Sequence, residues 1–385
     1  MNANQDLFRP DLPRIAHKIV CLIPDGIGTT LRTTPTLSAI RQKYPNAIIT
    51  VILNSNCSSL LTESICDYCL SPPKTSRFAK LRFYASLRQQ KFDILFDFHT
   101  PHRPMNAMTQ SSFSTDVTQT HLWHRLLIKA KCTIGFDKTL NSALNTTIIA
   151  DWINVHSAFT ISVPCPKTAV SQAEHQADTT LRLVIDSHKI TIAARLFPLK
   201  APKVYKDINY SQPHKIALFF GGHHQSSHWP LDYVIELIVK ILASRNVRFH
   251  IIGGNQETNV KALLHDALRK EINDNQVVMH IGQTNLGETS AIIGQCQLMI
   301  STLSGPFYLA DAHNIPIIAL ASSNKHVPHY QARQARQILL QVPVHCSPCL
   351  KSICEKSVSC MEQMSVMQVV AAYDAMLADR FAIAL

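Results

Sequence analysis

The segment LSGPFYLADAHNIP, residues 303–316, contains residue types that suit the binding of a phosphate group. Ser304 and Gly305 follow an apolar run, and Pro306 suits the first turn of a helix that Ser304 could cap. The first backbone N–H groups of a helix lack intrahelical partners, and the helix dipole favours an anion beside them. The pattern therefore predicts a phosphate site at these three residues, although a capped helix without a ligand explains the same pattern.

A second candidate site follows the apolar run that ends in FFGGHHQSSHWP, residues 219–230. Gly221 and Gly222 suit a turn after a strand. Three histidines lie in the same loop, namely His223, His224 and His228. They could bind a phosphate, a metal or a proton, or they could be solvated surface residues. Glu257, just after IIGGNQ, could accept hydrogen bonds from a ribose, or it could be a carboxylate that the dipole of a helix favours.

A third candidate is the cysteine-rich segment near the end of the sequence. Its spacing is C-x2-C-x4-C-x5-C, formed by Cys346, Cys349, Cys354 and Cys360. Four thiolates at close spacing could bind zinc tetrahedrally, but the second pair is wider than the usual two-residue knuckle. We therefore expect no metal and keep this cluster as a weak metal candidate, with a loop of half-buried thiols as the other interpretation. An isolated C-x2-C at Cys66 and Cys69 has little meaning without a redox-protein context.

The bulk composition limits the class of protein. A chain of 385 residues suits two domains, and a hydrophobic content of 46% supplies apolar residues for both cores. The formal net charge of +11 favours an anionic partner. Nucleic acid is disfavoured, because aromatic residues make up 7% and no stacking surface is visible. Because there is no secretory signal, no long apolar run and no disulfide pattern, we expect a cytoplasmic protein with reduced thiols.

Nearly continuous apolar runs alternate with helical stretches in both halves of the chain. The runs in the first half are KIVCLI, IITVIL, FDILFDF and CTIGFDK, and the rhythm restarts at IALFFGG after a linker rich in Pro and Lys. The second half continues with a helix expected over 257–271 and a strand at LMIST, residues 298–302. Such runs suit strands of parallel sheets built from βαβ units. The sequence therefore predicts an α/β fold of two doubly wound domains that face a cleft. The predicted domains are 1–205, 206–361 and a last helix at 362–385.

Several segments occur in one order along nearly the whole chain: GTTLRTTPTLSAIRQKYPNAIITVI, FDILFDF, IGFDK, HWPLDYVIELIVKIL, IIGGNQE, TLSGPFYLADAHNIPIIAL and the terminal cysteines. In this series the chain resembles glycosyltransferase family 9, the bacterial heptosyltransferase-like enzymes of lipopolysaccharide core assembly. The resemblance implies the GT-B fold, with the acceptor bound by the N-terminal Rossmann-like domain and the nucleotide-sugar by the C-terminal one. It also implies metal-independent, inverting transfer without a cofactor, from ADP-heptose or a similar donor to an anionic lipid-linked saccharide. We accordingly expect peripheral contact with the inner face of the inner membrane, and a last helix that returns to the N-terminal domain.

The resemblance also implies roles for residues of the first turn. Gly26, Gly28 and Thr29 form the acceptor-side turn, and Thr29 stands where the family has its catalytic Asp. Because a Thr hydroxyl cannot accept a proton from a sugar near neutral pH, Asp25 is the candidate general base.

In the second half too, uncharged residues stand at positions where the family has charged or titratable ones. The family's Lys before Trp-Pro is Ser227 here, so that His228 is the candidate to offset charge on the leaving diphosphate. The family's Asp before Ser-Gly-Pro is Leu303, and its following His is Tyr308. The resemblance implies that the donor is bound by the residues that remain, namely Gly221, Gly222, Glu257, Ser304, Gly305 and Pro306. Two hypotheses remain open: an active glycosyltransferase, or a family member that has lost catalysis and acts as a binding or partner protein.

Overall fold

The computed structural model describes residues 13–98 except 54, 62 and 75, then 127–137, 161–164, and 213–383 except 223, 324–330, 348 and 350. The chain divides into two units, Met1–Phe197 and Pro198–Leu385. The predicted boundary at 205/206 and the linker before it lie outside the described residues, and the boundary stays a prediction.

The first unit is built on a six-stranded parallel sheet. Its strands are β1 (Lys18–Leu22), β2 (Ile48–Ile52), β3 (Tyr68–Leu70), β4 (Ile94–Asp97), β5 (Cys132–Asp137) and β6 (Ile161–Pro164), and its described helices are α1 (Ile27–Lys43) and α2 (Arg77–Leu87). The strand order is β3-β2-β1-β4-β5-β6, with every pair parallel. The strand order reverses between β1 and β4, although the two strands are parallel. In open α/β sheets, ligands bind at the carboxyl ends of the strands beside such a reversal.

The core of this unit explains why the short apolar runs form its central strands. Val20 and Leu95 from neighbouring strands are fully buried, and they lie in one cluster with Tyr84 and Leu87 from α2. An apolar run buried on both faces is typical of a parallel strand that helices cover.

The second unit contains another six-stranded parallel sheet. Its strands are β7 (His214–Phe219), β8 (Val247–Ile251), β9 (Val277–Met279), β10 (Leu298–Thr302), β11 (Ile317–Ala321) and β12 (Gln337–Gln341). The helices are α3 (Leu231–Ser244), α4 (Thr258–Ala267), α5 (Arg269–Asn273), α6 (Leu286–Gly294), α7 (Gly305–Ala312) and α8 (Val366–Ile383). The order is β12-β11-β10-β7-β8-β9, all parallel. This sheet reverses its order between β7 and β10.

The last helix, α8, closes the core of the second unit. Val369 and Tyr373 are buried in one cluster with Ile238 of α3, and the indole N–H of Trp229 donates to the Met364 carbonyl at 3.0 Å. These contacts belong to the second unit, and the predicted return of α8 to the first unit stays a prediction.

Two local expectations are corrected. The helix expected over 257–271 is two helices, α4 and α5, which meet at the buried Leu268. Gly28 lies within the first turn of α1, so the turn before that helix rests on Gly26 alone, whose φ of 120° is a conformation that favours glycine. Within the described residues, no helix is both long and apolar enough to cross a membrane.

Candidate functional site

The carboxyl ends of β7, β8 and β10 meet where the second sheet reverses its order. Gly221 follows β7, Thr302 ends β10, and Glu257 follows β8. The Thr302 hydroxyl donates to the Gly221 carbonyl oxygen at 2.6 Å, which joins two strand ends that are 81 residues apart. This is the position at which a doubly wound sheet binds its ligand.

Glu257 and Gly221 approach each other so closely that a side chain at position 221 would displace the Glu257 carboxylate. A Cβ atom there would lie 2.5 Å from Glu257 Oε1. The Glu257 side chain is held in this position because its Oε2 accepts the Gly254 backbone N–H at 2.8 Å, and the residue is only 8% exposed. Gly221 and Glu257, both predicted donor-binding residues, are therefore brought together, and a buried carboxylate lies beside the strand ends.

Ser304, Gly305 and Pro306 form the start of α7, directly after β10. The Ser304 N–H donates to the Thr302 carbonyl at 2.8 Å, so the helix start adjoins the strand end that contacts Gly221. Ser304 occupies the capping position and is half-buried, but its side chain makes no capping hydrogen bond. The expected hydroxyl cap is therefore wrong, and the Phe307 N–H is instead satisfied by the Ser304 carbonyl at 3.1 Å. A helix start of this kind favours an anion through its backbone N–H groups.

The loop after Gly222 places His228 at the surface and its serines inside. His228 is exposed, and its Nε2 lies 2.8 Å from the Gly222 carbonyl oxygen, a contact that requires a proton on Nε2. Ser227, at the position of the family's lysine, is buried, and its Oγ accepts a hydrogen bond from the Ser322 hydroxyl at 3.2 Å. His223 lies outside the described residues, so the predicted histidine cluster is described only at His224 and His228.

The four candidate cysteine ligands line one cavity of about 700 Å³ on the second unit, namely Cys346, Cys349, Cys354 and Cys360. Backbone contacts bring this segment to the end of β11, where the Cys349 N–H donates to the Ser323 carbonyl at 2.6 Å. Among the residues that the structure describes, no three His, Cys, Asp or Glu side chains are arranged to hold one metal ion. The spacing therefore places the thiols in one region without assembling them into a metal site there.

Asp25 and the acceptor-side turn lie at the carboxyl end of β1 in the first unit. Asp25 is exposed, and Gly26 precedes α1, whose first turn contains Gly28 and Thr29. The Thr30 N–H and hydroxyl both donate to the Gly26 carbonyl at 2.9 Å. These bonds fix the turn, and the Asp25 carboxylate remains open to solvent.

Two residues that the sequence reasoning missed lie near this turn. Asp97 ends β4 and is fully buried, and Tyr84 comes from the buried face of α2. Burial, and then the negative charges of Asp25 and Asp97, raise the pKa of the Tyr84 phenol. The signal available in the sequence was a charged residue inside the apolar run FDILFDF, which is unusual unless its carboxylate has partners.

In the second unit, the sequence did not indicate two residues whose side chains join separate parts of the fold, Thr302 and Asp311. In the sequence Thr302 is only the last residue of an apolar run, but in the structure its hydroxyl donates to the Gly221 carbonyl oxygen. Asp311 reads as a polar residue of a helix, but its buried carboxylate accepts the backbone N–H groups of Arg333, Gln334 and Ala335 at 2.9–3.0 Å. It therefore holds the loop that leads into β12.

Comparison with known proteins identifies the family. The profile described as glycosyltransferase family 9 (heptosyltransferase) matches residues 127–358, more than half of the chain. The chain belongs to glycosyltransferase family 9. The predicted family resemblance is thus confirmed. No curated protein matches the sequence.

Three solved structures of a family 9 glycosyl transferase and of two heptosyltransferases share the fold at low sequence identity. The glycosyl transferase family 9 protein from Veillonella parvula DSM 2008 has 16% identity and a TM-score of 0.69, over 96% of this chain and 99% of that chain. E. coli ADP-heptose LPS heptosyltransferase II has 15% identity and a TM-score of 0.68, over 94% and 99%. E. coli heptosyltransferase WaaC with ADP-2-deoxy-2-fluoro heptose has 13% identity and a TM-score of 0.63, over 93% and 99%. The predicted α/β GT-B class is therefore confirmed, and similarity at this level of identity concerns the fold alone.

Proposed function

We propose that this family 9 protein transfers a sugar from a nucleotide-sugar to a lipopolysaccharide or another surface-glycan acceptor, with inversion at the anomeric carbon. The second unit would bind the donor, ADP-heptose or a similar compound, and the first unit would bind the acceptor. Support for the donor comes from the family and from the ADP-heptose and ADP compounds named for the two E. coli structures.

The observation that carries the proposal is the meeting of three strand ends at the reversal point of the second sheet. Glu257 is held beside Gly221, and the start of α7 adjoins them through Thr302. A buried carboxylate suits a ribose hydroxyl, and a helix start suits a diphosphate. Since Leu303 is buried and apolar where the family has Asp, the main-chain N–H groups around Ser304, Gly305 and Pro306 would supply most of the phosphate contacts.

The proposed step is a single displacement. An acceptor hydroxyl oxygen bonds to the anomeric carbon while the bond between that carbon and the diphosphate oxygen breaks. The hydroxyl proton passes to the Asp25 carboxylate, and the nucleoside diphosphate leaves with the bonding electron pair. The helix start at Ser304 and the His228 side chain would stabilise its developing charge. Asp25 is suited to the role of base because its carboxylate is exposed at a strand end and the turn behind it is fixed.

A transfer assay with the Asp25→Asn variant tests this role. We expect the transfer rate to fall about 10²–10⁴-fold, the usual contribution of a general base, with donor affinity unchanged. Glu63→Gln is the matched control, since Glu63 is another exposed carboxylate of the same unit. An Asp25→Asn variant with the turnover of the unaltered protein would remove Asp25 from the mechanism.

The second candidate function is a binding or partner protein that has lost catalysis. It is favoured by three replaced positions: Thr29 for Asp, the buried Ser227 for Lys, and the buried Leu303 for Asp. Calorimetric titration with ADP-, GDP- and UDP-sugars, followed by assays for hydrolysis and transfer, separates the two functions. Tight donor binding without either reaction, across a range of acceptors, would favour the second.

A further inference from the structure

Two cysteine thiols of the first unit face each other at strand β3. The sulfur atoms of Cys66 and Cys69 lie 3.4 Å apart, joined by a hydrogen bond between free thiols. The C-x2-C spacing alone indicates little, and this sulfur–sulfur contact is what the spacing could not show. A disulfide has an S–S bond of about 2.05 Å, so the two sulfurs need to approach by only about 1.4 Å to form one.

Asp67 lies between the two cysteines and ties their segment to β2 and α1. Its backbone N–H donates to the Ile49 carbonyl at 2.9 Å, and its carboxylate accepts the Ile49 N–H at 2.7 Å. The same carboxylate pairs with Arg41 at 2.6 Å. These contacts hold the segment against the sheet without involving the sulfurs. Because groups that are held close together react as if one were present at high concentration, the two thiols are positioned to react with each other.

The two thiols differ in their access to solvent and in their acidity. Cys66 is only 4% exposed, whereas Cys69 is half-buried. The hydrogen bond from Cys66 lowers the pKa of the Cys69 thiol, while the same bond, and then burial, raise the pKa of the Cys66 thiol. Because the thiolate is the nucleophile in disulfide exchange, Cys69 is the thiol that reacts first with an external reagent.

A third thiol, that of Cys21, lies on the same face of the sheet. Cys21 pairs in register with Val51, and Val51 pairs with Cys69, so the three side chains point to one side. Cys21 is fully buried, and burial raises the pKa of its thiol, which makes it a poor nucleophile. Among the residues that the structure places, no three His, Cys, Asp or Glu side chains could hold one metal ion. The pair at Cys66 and Cys69 therefore suits disulfide chemistry better than metal binding.

We propose that Cys66 and Cys69 are a dithiol site that exchanges with low-molecular-weight disulfides, such as oxidised glutathione, and forms a reversible disulfide. The Cys69 thiolate attacks one sulfur of the reagent, whose S–S bond breaks, and one thiol leaves with the bonding electron pair and a proton from solvent. Cys66 then loses its proton to solvent and attacks the Cys69 sulfur of the mixed disulfide, from which the second thiol leaves in the same way. The protein pair loses two electrons and two protons, and the reagent gains both.

Incubation of the full chain with reduced and oxidised glutathione, followed by acid quenching and alkylation, tests the proposal in peptide mass spectra. We expect a disulfide between Cys66 and Cys69 in excess oxidised glutathione, and its loss on addition of dithiothreitol. The Cys66→Ala variant should stop at a glutathione adduct of Cys69. In the Cys69→Ala variant, the Cys66 thiol should react about tenfold or more slowly than Cys69 does in the unaltered chain, because it is buried and stays protonated.

Two other cysteines of the first unit provide matched controls. Cys57 is 3% exposed, as deeply buried as Cys66, and Cys21 lies on the same face of the sheet as Cys69. Cys57→Ala and Cys21→Ala should each form the Cys66–Cys69 disulfide within about twofold of the unaltered rate, because neither thiol takes part in the exchange. Circular dichroism shows whether each variant is folded. If one is not, the unaltered chain still tests the pairing, since fragmentation of its peptides identifies which cysteines are joined.

Three results would overturn the proposal. They are a Cys66–Cys69 pair that stays reduced in the folded chain at every ratio of the two glutathione forms, an oxidised chain in which Cys66 or Cys69 is joined to another cysteine instead, or faster addition of glutathione to Cys66 than to Cys69. The inference does not depend on the proposed function. The exchange assay contains no nucleotide-sugar, so its outcome and that of the transfer assay are independent.

Discussion

Gly221→Ala is the substitution whose effect follows most directly from the geometry of the strand ends. The added Cβ would lie 2.5 Å from Glu257 Oε1 and 3.1 Å from both Cδ and Cγ of the same side chain, closer than an ordinary van der Waals contact. The Glu257 side chain must then move, and it loses the Gly254 N–H that its Oε2 accepts at 2.8 Å. Loss of a buried hydrogen bond to a charged group costs about 1.5–3 kcal/mol. We expect the free energy of unfolding of the second unit to fall by that amount in urea titrations.

Two further variants make this prediction specific. Gly254→Ala is the control, because a Cβ there would lie 3.5 Å from Glu257 Oε2, an ordinary contact, and should change stability by less than about 1 kcal/mol. In the double variant with Glu257→Ala the steric conflict is absent, so Gly221→Ala should add almost nothing to the effect of Glu257→Ala alone. If Gly221→Ala is as stable as the unaltered protein, or if the two single effects add in the double variant, the close approach of these residues is refuted.

Two titratable pairs outside the strand-end site give further predictions. His250 Nδ1 and His280 Nε2 lie 3.0 Å apart, and burial, with basic neighbours, lowers the pKa of His250 to about 4. Since the unfolded chain binds this proton at a higher pH, the unfolding free energy should fall by about 2–3 kcal/mol as the pH drops from about 6.5 to about 4. His250→Gln should make the unfolding free energy less dependent on pH in denaturation curves. His265→Gln, at an exposed site, is the control and should not. Equal pH profiles for the unaltered protein and both variants would contradict the lowered pKa of His250. Cys66 and Cys69 have their sulfurs 3.4 Å apart, and the hydrogen bond from Cys66 lowers the pKa of Cys69 while raising its own. Iodoacetamide should therefore label Cys69 before Cys66 in peptide mass spectra. Cys66→Ala, which removes the donor, should slow the labelling of Cys69; preferential labelling of Cys66 would be the opposite result.

Buried strands were predictable because parallel strands covered on both faces leave a continuous apolar run. LMIST matches Leu298–Thr302 without an offset, and KIVCLI differs from Lys18–Leu22 by one residue. Elements that lack such a run were missed. β3 has three residues with none fully buried, and every residue of β12 is half-buried, so neither strand carries a strong periodic signal. β3 and β12 are strands because they pair with the buried strands β2 and β11, and not because of their own composition.

The candidate site was predictable only where a short segment carries its own geometry. The start of α7 at Ser304 and Gly305 could be read from Ser-Gly-Pro, because capping preferences act within one helical turn. The absence of a hydroxyl cap could not be predicted, because the Phe307 N–H donates to the Ser304 carbonyl oxygen and not to its hydroxyl. The contact of Thr302 with Gly221 joins residues 81 positions apart, and no local pattern encodes such a contact.

Transfer from a nucleotide-sugar requires that the second unit binds a nucleoside diphosphate. Isothermal titration calorimetry of the full chain with ADP, GDP and UDP measures it directly. We predict saturable one-site binding of at least one of them. Glu257→Ala should weaken this binding about tenfold or more, because losing a hydrogen bond to a charged group costs more free energy than the roughly 1.4 kcal/mol that a factor of ten represents. Asp25→Asn should leave it unchanged. Donor binding at these strand ends is refuted if none of the three nucleotides binds, or if Glu257→Ala binds them as tightly as the unaltered chain.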